Sequence, residues 1–152
     1  MASLNQKPKL LSLTRIALSA TFVMSETSSI PRFFKTAWFA KATSKAGIQD
    51  LELCKILRQT QDGQADDLGG GVLKKRVHKN MFRAIVLGKG RSYWVLVYLF
   101  AKKRRANIDN NELEAFRKLA DIFEKKTDKD IQRDLEAGVM VEICHGETQI
   151  QE

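Results

Sequence analysis

Three side chains give the first chemical suggestion in this chain: Lys74, Arg76 and Arg83. Lys74 and Arg76 are two residues apart, so on a strand they point to the same face. A two-residue turn at Lys79-Asn80 would pair His78 with Met81, Val77 with Phe82 and Arg76 with Arg83, which brings the third cation onto that face. Two arginines directly opposite each other destabilise a sheet by up to ~1 kcal/mol, a penalty that a bound phosphate removes. The chemistry on offer is the binding of an oxyanion and the stabilisation of charge that grows on it.

The surroundings reinforce this. Between Leu68 and Ile108 there is no Asp or Glu, yet the stretch holds eleven Lys and Arg: Lys74, Lys75, Arg76, Lys79, Arg83, Lys89, Arg91, Lys102, Lys103, Arg104 and Arg105. Taking these eleven from the 26 basic residues leaves 15 against 18 acidic ones, so the formal charge of +8 comes entirely from this block. Solvated surfaces normally mix both signs, and this block also contains the most apolar run of the chain, Tyr93 to Phe100. A single cationic block on a net-acidic scaffold attracts polyanions, with nucleic acid the first partner to consider. His78 and His145 lack metal-ligand spacing. Cys54 and Cys144 lie far apart with no C-x-x-C pattern. Neither a metal site, a cofactor nor a disulfide framework is therefore expected; Cys54 should pack in a helix, and a reducing compartment suits the chain.

The elements that must position these cations are legible in outline. Residues 1–24 stand apart as a flexible or misassigned extension: Lys7 and Lys9 precede an apolar run that imitates a secretory leader, but Arg15 interrupts it and no segment has the length of a membrane span. Met24 is an alternative start. One domain is expected over residues 25–146, with a frayed tail at 147–152. Ile30 to Phe39, rich in aromatics, reads as a strand. A helix follows, capped by Asp50 and stopped by Asp62-Gly63. Leu68-Gly69-Gly70-Gly71 is a weak candidate for a phosphate cradle and a better one for a tight turn into a strand. A meander follows over residues 72–78, 81–87 and 92–101, the last strand central because it lacks alternation. Asp109 and Glu112 form a capping box for an amphipathic helix, Thr127 caps another, Gly138 ends it, and Val139 to Ile143 is a final strand. The fold class is α+β, a mixed or antiparallel sheet of four to five strands flanked by helices.

Three segments, Leu68-Gly69-Gly70-Gly71-Val72-Leu73-Lys74-Lys75-Arg76-Val77, then Phe82-Arg83, then Tyr98 to Ile108 with its Lys102-Lys103-Arg104-Arg105 core, occur in an order similar to the RelE/HigB-like toxins of bacterial type II toxin–antitoxin systems. The resemblance runs from about Phe33 to Ile143 and includes Ala40-Lys41 after the first strand. It implies a small cytoplasmic α/β toxin that cleaves messenger RNA in the ribosomal A site and is silenced by a helix-turn-helix antitoxin, with no membrane involved. It also implies a metal-free reaction in which the RNA 2′-hydroxyl attacks the adjacent phosphate. By position, Lys74, Arg76 and Arg83 match the family's catalytic strands, and Lys102 and Arg105, from its basic segment, complete the catalytic set that the resemblance implies. Lys75, His78, Lys79, Lys89, Arg91, Lys103 and Arg104 are then expected to hold RNA. Lys74, flanked by cations, is the candidate base. Where relatives carry a catalytic tyrosine beside the C-terminal helix, this chain has Asp109, so the general acid is open; His78 serves only if it points into the site. The alternatives are a non-catalytic nucleic-acid or ribosome binder and a ParE-like inhibitor of DNA gyrase.

Overall fold

In the computed structural model, which describes residues 30–145, the order is β1 (Arg32–Thr36), α1 (Ala37–Ala46), α2 (Asp50–Gln61), β2 (Asp66–Asp67), β3 (Val72–Val77), β4 (Phe82–Leu87), β5 (Tyr93–Ala101), α3 (Asn110–Lys125), α4 (Asp128–Glu136) and β6 (Met140–Ile143). The expectations for residues 1–24 and 147–152 lie outside the described residues. Six strands form one mixed sheet in the order β2-β3-β4-β5-β1-β6, with only β1 and β5 parallel. β5 is central and covered on both faces, which is why its sequence is a continuous apolar run. One face packs Leu73, Val86, Trp94 and Leu96 against α1 and α2. The other packs Val72, Ile85, Leu87 and Val95 against α3 and α4.

Four expectations need correction. The strand expected through Phe39 stops at Thr36, whose hydroxyl accepts the Phe39 N–H and caps α1. The aromatics Trp38 and Phe39 favour β structure by propensity, but this cap and the left-handed Gly47 at the other end bound a helix. Asp50 does not cap α2: Gln49 holds the cap position without a side-chain bond, and Asp50 lies in the first turn, where it accepts from Lys35 Nζ at 2.6 Å. The sheet has six strands because Asp66 and Asp67 add a two-residue strand beside β3. Finally, Cys54 and Cys144, 90 residues apart, are joined by a disulfide. The register that places Phe33 opposite Ile143 carries the chain after β6 onto the α2 face, and both cysteines are buried there.

The glycine run is structural. Arg117 of α3 donates to the carbonyls of Leu68 and Gly69, and a Cβ on Gly71 would lie 2.4 Å from Cβ of Lys89. Gly71, at φ +83°, is therefore required both by its backbone and by its neighbour. No helix among the described residues is long and apolar enough to cross a membrane.

Candidate nucleic-acid interface

The β3–β4 register pairs Arg76 with Arg83 and Val77 with Phe82, as the turn chemistry requires. His78, Lys79 and Asn80 all have positive φ, the conformation that the tight turn demands at its central Lys79 and Asn80 and that Asn and His adopt more readily than Lys. β4 in turn pairs Arg83 with Phe100 and Ile85 with Tyr98. Two rows therefore cross three strands on the α3 face, Arg76–Arg83–Phe100 and Lys74–Ile85–Tyr98. Neighbouring strands are ~4.8 Å apart, so a row spans roughly 10 Å, within reach of long side chains converging on one phosphate group.

Arg83 donates Nη1 to the carbonyls of Asn80 and Phe82 at 3.2 and 3.1 Å and has no carboxylate partner among the described residues. Arg76 is exposed, and it too has no ion pair among the described residues. Lys74 is largely buried, its Nζ 4.0 Å from the Asp66 carboxylate on β2. Lys102, Lys103 and Arg104 are exposed in the turn after β5, and the Lys102 N–H donates to the Met81 carbonyl at 3.0 Å, stitching that turn to the hairpin turn bearing Lys79.

Arg105 is held differently. Its guanidinium donates to both oxygens of Glu112 at 3.0 and 2.5 Å and to the Tyr98 hydroxyl at 3.3 Å, and it lies 5.6 Å from the centre of the Phe100 ring. Glu112 also accepts the Asp109 N–H, so the capping box that starts α3 is what fixes Arg105. The ion pair holds the Glu112 carboxyl below the usual carboxylate range and raises Arg105 further above its already high value, each mainly through the shared hydrogen bonds. Tyr98 carries Arg105 on its hydroxyl and is stacked by Trp38 of α1, centroids 5.1 Å apart.

The remaining expected residues lie elsewhere. Lys75 points to the α2 face, where Nζ donates to the Gln64 carbonyl; burial first and Arg76 second lower its pKa. His78 turns the same way, its Nδ1 3.0 Å from Glu52 of α2, which takes it away from the Arg76–Arg83 row. Lys89 is bound by Asp121 and faces Glu124, and Arg91 is exposed beside it, both in the Gly88–Arg91 connection at the opposite end of the meander. The sequence reading missed Tyr98, Glu112 and Trp38. Tyr98 did leave a signal: it is one of two hydroxyl-bearing residues in the β5 run, and the other, Tyr93, is engaged with Asp128.

A cationic row of this kind on a small mixed sheet agrees with the comparison of the sequence to known families. Residues 31–143 match the profile of the RelE toxin of the RelE/RelB toxin–antitoxin system. The chain belongs to the RelE toxin family. No curated protein and no solved structure gives a match to it. It is thus the toxin half of a toxin–antitoxin pair, with an antitoxin as the partner that membership entails. What the geometry offers this RelE-family toxin is a pair of guanidinium groups, Arg76 and Arg83, with no carboxylate partner among the described residues, one row along the sheet from Tyr98, whose hydroxyl accepts a hydrogen bond from Arg105.

Proposed function

We propose that this toxin is an endoribonuclease that cleaves messenger RNA, engaged in the ribosomal A site in the cytoplasm and neutralised by a helix-turn-helix antitoxin. The observation that carries the proposal is the pairing of Arg76 with Arg83, neither neutralised by a carboxylate among the described residues, in register with Phe100 and next to the Tyr98–Arg105 pair. Guanidinium groups so placed can hold both non-bridging oxygens of a phosphodiester, and their charge matters most when a fifth oxygen approaches the phosphorus.

In the reaction the 2′-hydroxyl loses its proton to a base, and O2′ forms a bond to the adjacent phosphorus. The bond from phosphorus to O5′ then breaks, and that oxygen takes up a proton. The products are a 2′,3′-cyclic phosphate and a 5′-hydroxyl. Lys74, on the face shared with Arg76 and Arg83, is the proposed base. Tyr98 is the proposed acid, because its hydroxyl lies in the same cross-strand row as Lys74 and is held by the hydrogen bond from Arg105, where it can donate to the departing oxygen. Lys79, Lys102, Lys103 and Arg104 are proposed to hold the flanking RNA backbone.

Induced expression of the chain with mapping of messenger RNA ends tests this. New 5′-hydroxyl ends are expected with the unaltered chain and none with Arg76→Ala/Arg83→Ala, provided the variant keeps its circular dichroism and melting behaviour. Growth arrest without new ends would instead support gyrase inhibition or plain binding.

A further inference from the structure

β1 pairs with β5 only as far as Lys35 opposite Leu96, because at Ala37 the chain turns into α1. β5 continues to Ala101, so its last turn-ward residues have no strand beside them on the β1 side. α1 flanks that gap and leaves an open groove of about 650 Å³. Trp38, Lys41 and Lys45 of α1 form one wall, and Tyr98, Phe100 and Arg104 belong to the other.

The composition of this groove is unusual in two ways. Trp38 is 52% exposed although it is the largest side-chain type, and it lies nearly parallel to Tyr98, at 28°, with its second face uncovered by that partner. Lys41 and Lys45 are four residues apart on α1, a like-charge spacing that weakens a helix, and α1 contains no acidic residue to offset it. No acidic residue lines the groove, and neither lysine makes an ion pair among the described residues. A stacked aromatic platform with a file of free cations is the combination that binds single-stranded nucleic acid: the ring takes a base, the cations take its phosphates. A duplex could not present an unstacked base to Trp38.

We propose that this groove is a single-stranded RNA subsite, in which a base flanking the cleaved phosphate stacks on Trp38 while its backbone runs along Lys41 and Lys45. The proposal rests on the ribonuclease reading for its assignment to a flanking nucleotide. It deepens that reading by placing a specificity element on α1, outside the cationic strands. Tyr98 joins the two, since it belongs to the Lys74 row and also supports Trp38.

The test is fluorescence anisotropy of the full chain with a dye-labelled 2′-O-methyl RNA hexanucleotide, which cannot be cleaved. Trp38→Ala is expected to weaken binding by about tenfold, the scale of one stacked base. Trp38→Phe should recover most of that loss, which separates stacking from a fold defect. Lys41→Gln/Lys45→Gln should lower the slope of log affinity against log salt by about 1.4, the loss of two phosphate contacts on a single strand. Affinities within twofold of the unaltered chain in all three variants would overturn the proposal. So would Trp38-dependent binding of a hexaglutamate peptide with none of the RNA, which would make the groove a peptide site. Cleavage of RNA by the unaltered chain, measured in parallel, keeps the two readings apart. Cleavage with Trp38-independent binding removes the subsite alone. Trp38-dependent binding without any cyclic phosphate, on or off the ribosome, removes the ribonuclease reading and leaves an RNA-binding groove.

Discussion

At the end of the meander closed by Gly88–Arg91, Lys89 is clasped by Asp121 and Glu124, Arg117 is spent on Glu114 and the carbonyls of Leu68 and Gly69, and Trp94 donates its indole N–H to Arg91. At the end closed by His78–Met81, Arg76, Lys79, Arg83, Lys102, Lys103 and Arg104 have no carboxylate partner among the described residues. Arg105 is paired there, but its partner Glu112 fixes it against Tyr98 rather than removing it from the surface, while His78 and Lys74 approach Glu52 and Asp66. One continuous basic block in the sequence thus becomes two regions with different physics: one in which charge fastens α3 to the sheet, and one in which charge is left for a ligand. Charge density along a chain does not distinguish these; the position of α3 does.

The largest effect on the scaffold is expected from Cys54→Ala/Cys144→Ala. Opening a loop that separates residues 90 apart should lower unfolding free energy by about 4 kcal/mol in a urea titration. Because the bond lies on the α2 face, away from the Arg76–Arg83 row, cleavage of RNA below the melting temperature should be unchanged. A loss of cleavage with the fold intact would mean that the two faces are coupled and that the contrast between the two ends is too simple.

A smaller effect should follow acidification. Asp121, Glu112 and Glu142 are each held below the ordinary carboxylate range, first by a hydrogen bond from Lys89, Arg105 and Arg32 respectively. Groups with depressed folded-state values contribute stability that is complete above the ordinary carboxylate value of about 4 and is lost as pH falls through the lower one. Thermal stability should therefore drop below pH ~4, and Asp121→Asn should remove part of that dependence. The unpaired cations at the other end have no carboxylate to lose, so Arg83→Gln should leave the acid profile unchanged.

The smallest effect has the opposite sign. Replacing Arg76 by Met removes a like-charge pair from the sheet and should raise stability by about 0.5 kcal/mol while abolishing phosphate binding. A decrease in stability would show that some partner already satisfies Arg76.

Much of this arrangement was legible in the sequence, and the failures have physical causes. The Arg76–Arg83 pairing follows from the two-residue periodicity of strands and the length of the turn, both local properties. Capping at Asp109 and Thr127 was readable for the same reason. The helix α1 was not, because Trp38 and Phe39 favour strands by propensity, and the decisive bond, from Phe39 N–H to the Thr36 hydroxyl, competes with that preference rather than adding to it. β2 is two residues long and carries no periodicity. The disulfide depends on how β6 registers against β1, a pairing across more than a hundred residues. At the site, Glu112 was recognised as a capping residue but not as the anchor of Arg105, since one carboxylate performs both tasks and only its local one shows in spacing. His78 was misread because its neighbours in sequence are cations, whereas its neighbour in space is Glu52.

The most direct test of the division between the two ends is cleavage of a single-stranded RNA, on and off the ribosome, by two purified double variants. Arg76→Ala/Arg83→Ala removes two charge-stabilising donors and should reduce the cleavage rate by at least about 10³-fold, whereas Lys89→Ala/Arg91→Ala should stay within about threefold of the unaltered chain after correction for any loss of fold. Equal losses in both variants, or full cleavage in the first, would contradict the assignment of the phosphate site to the His78–Met81 end.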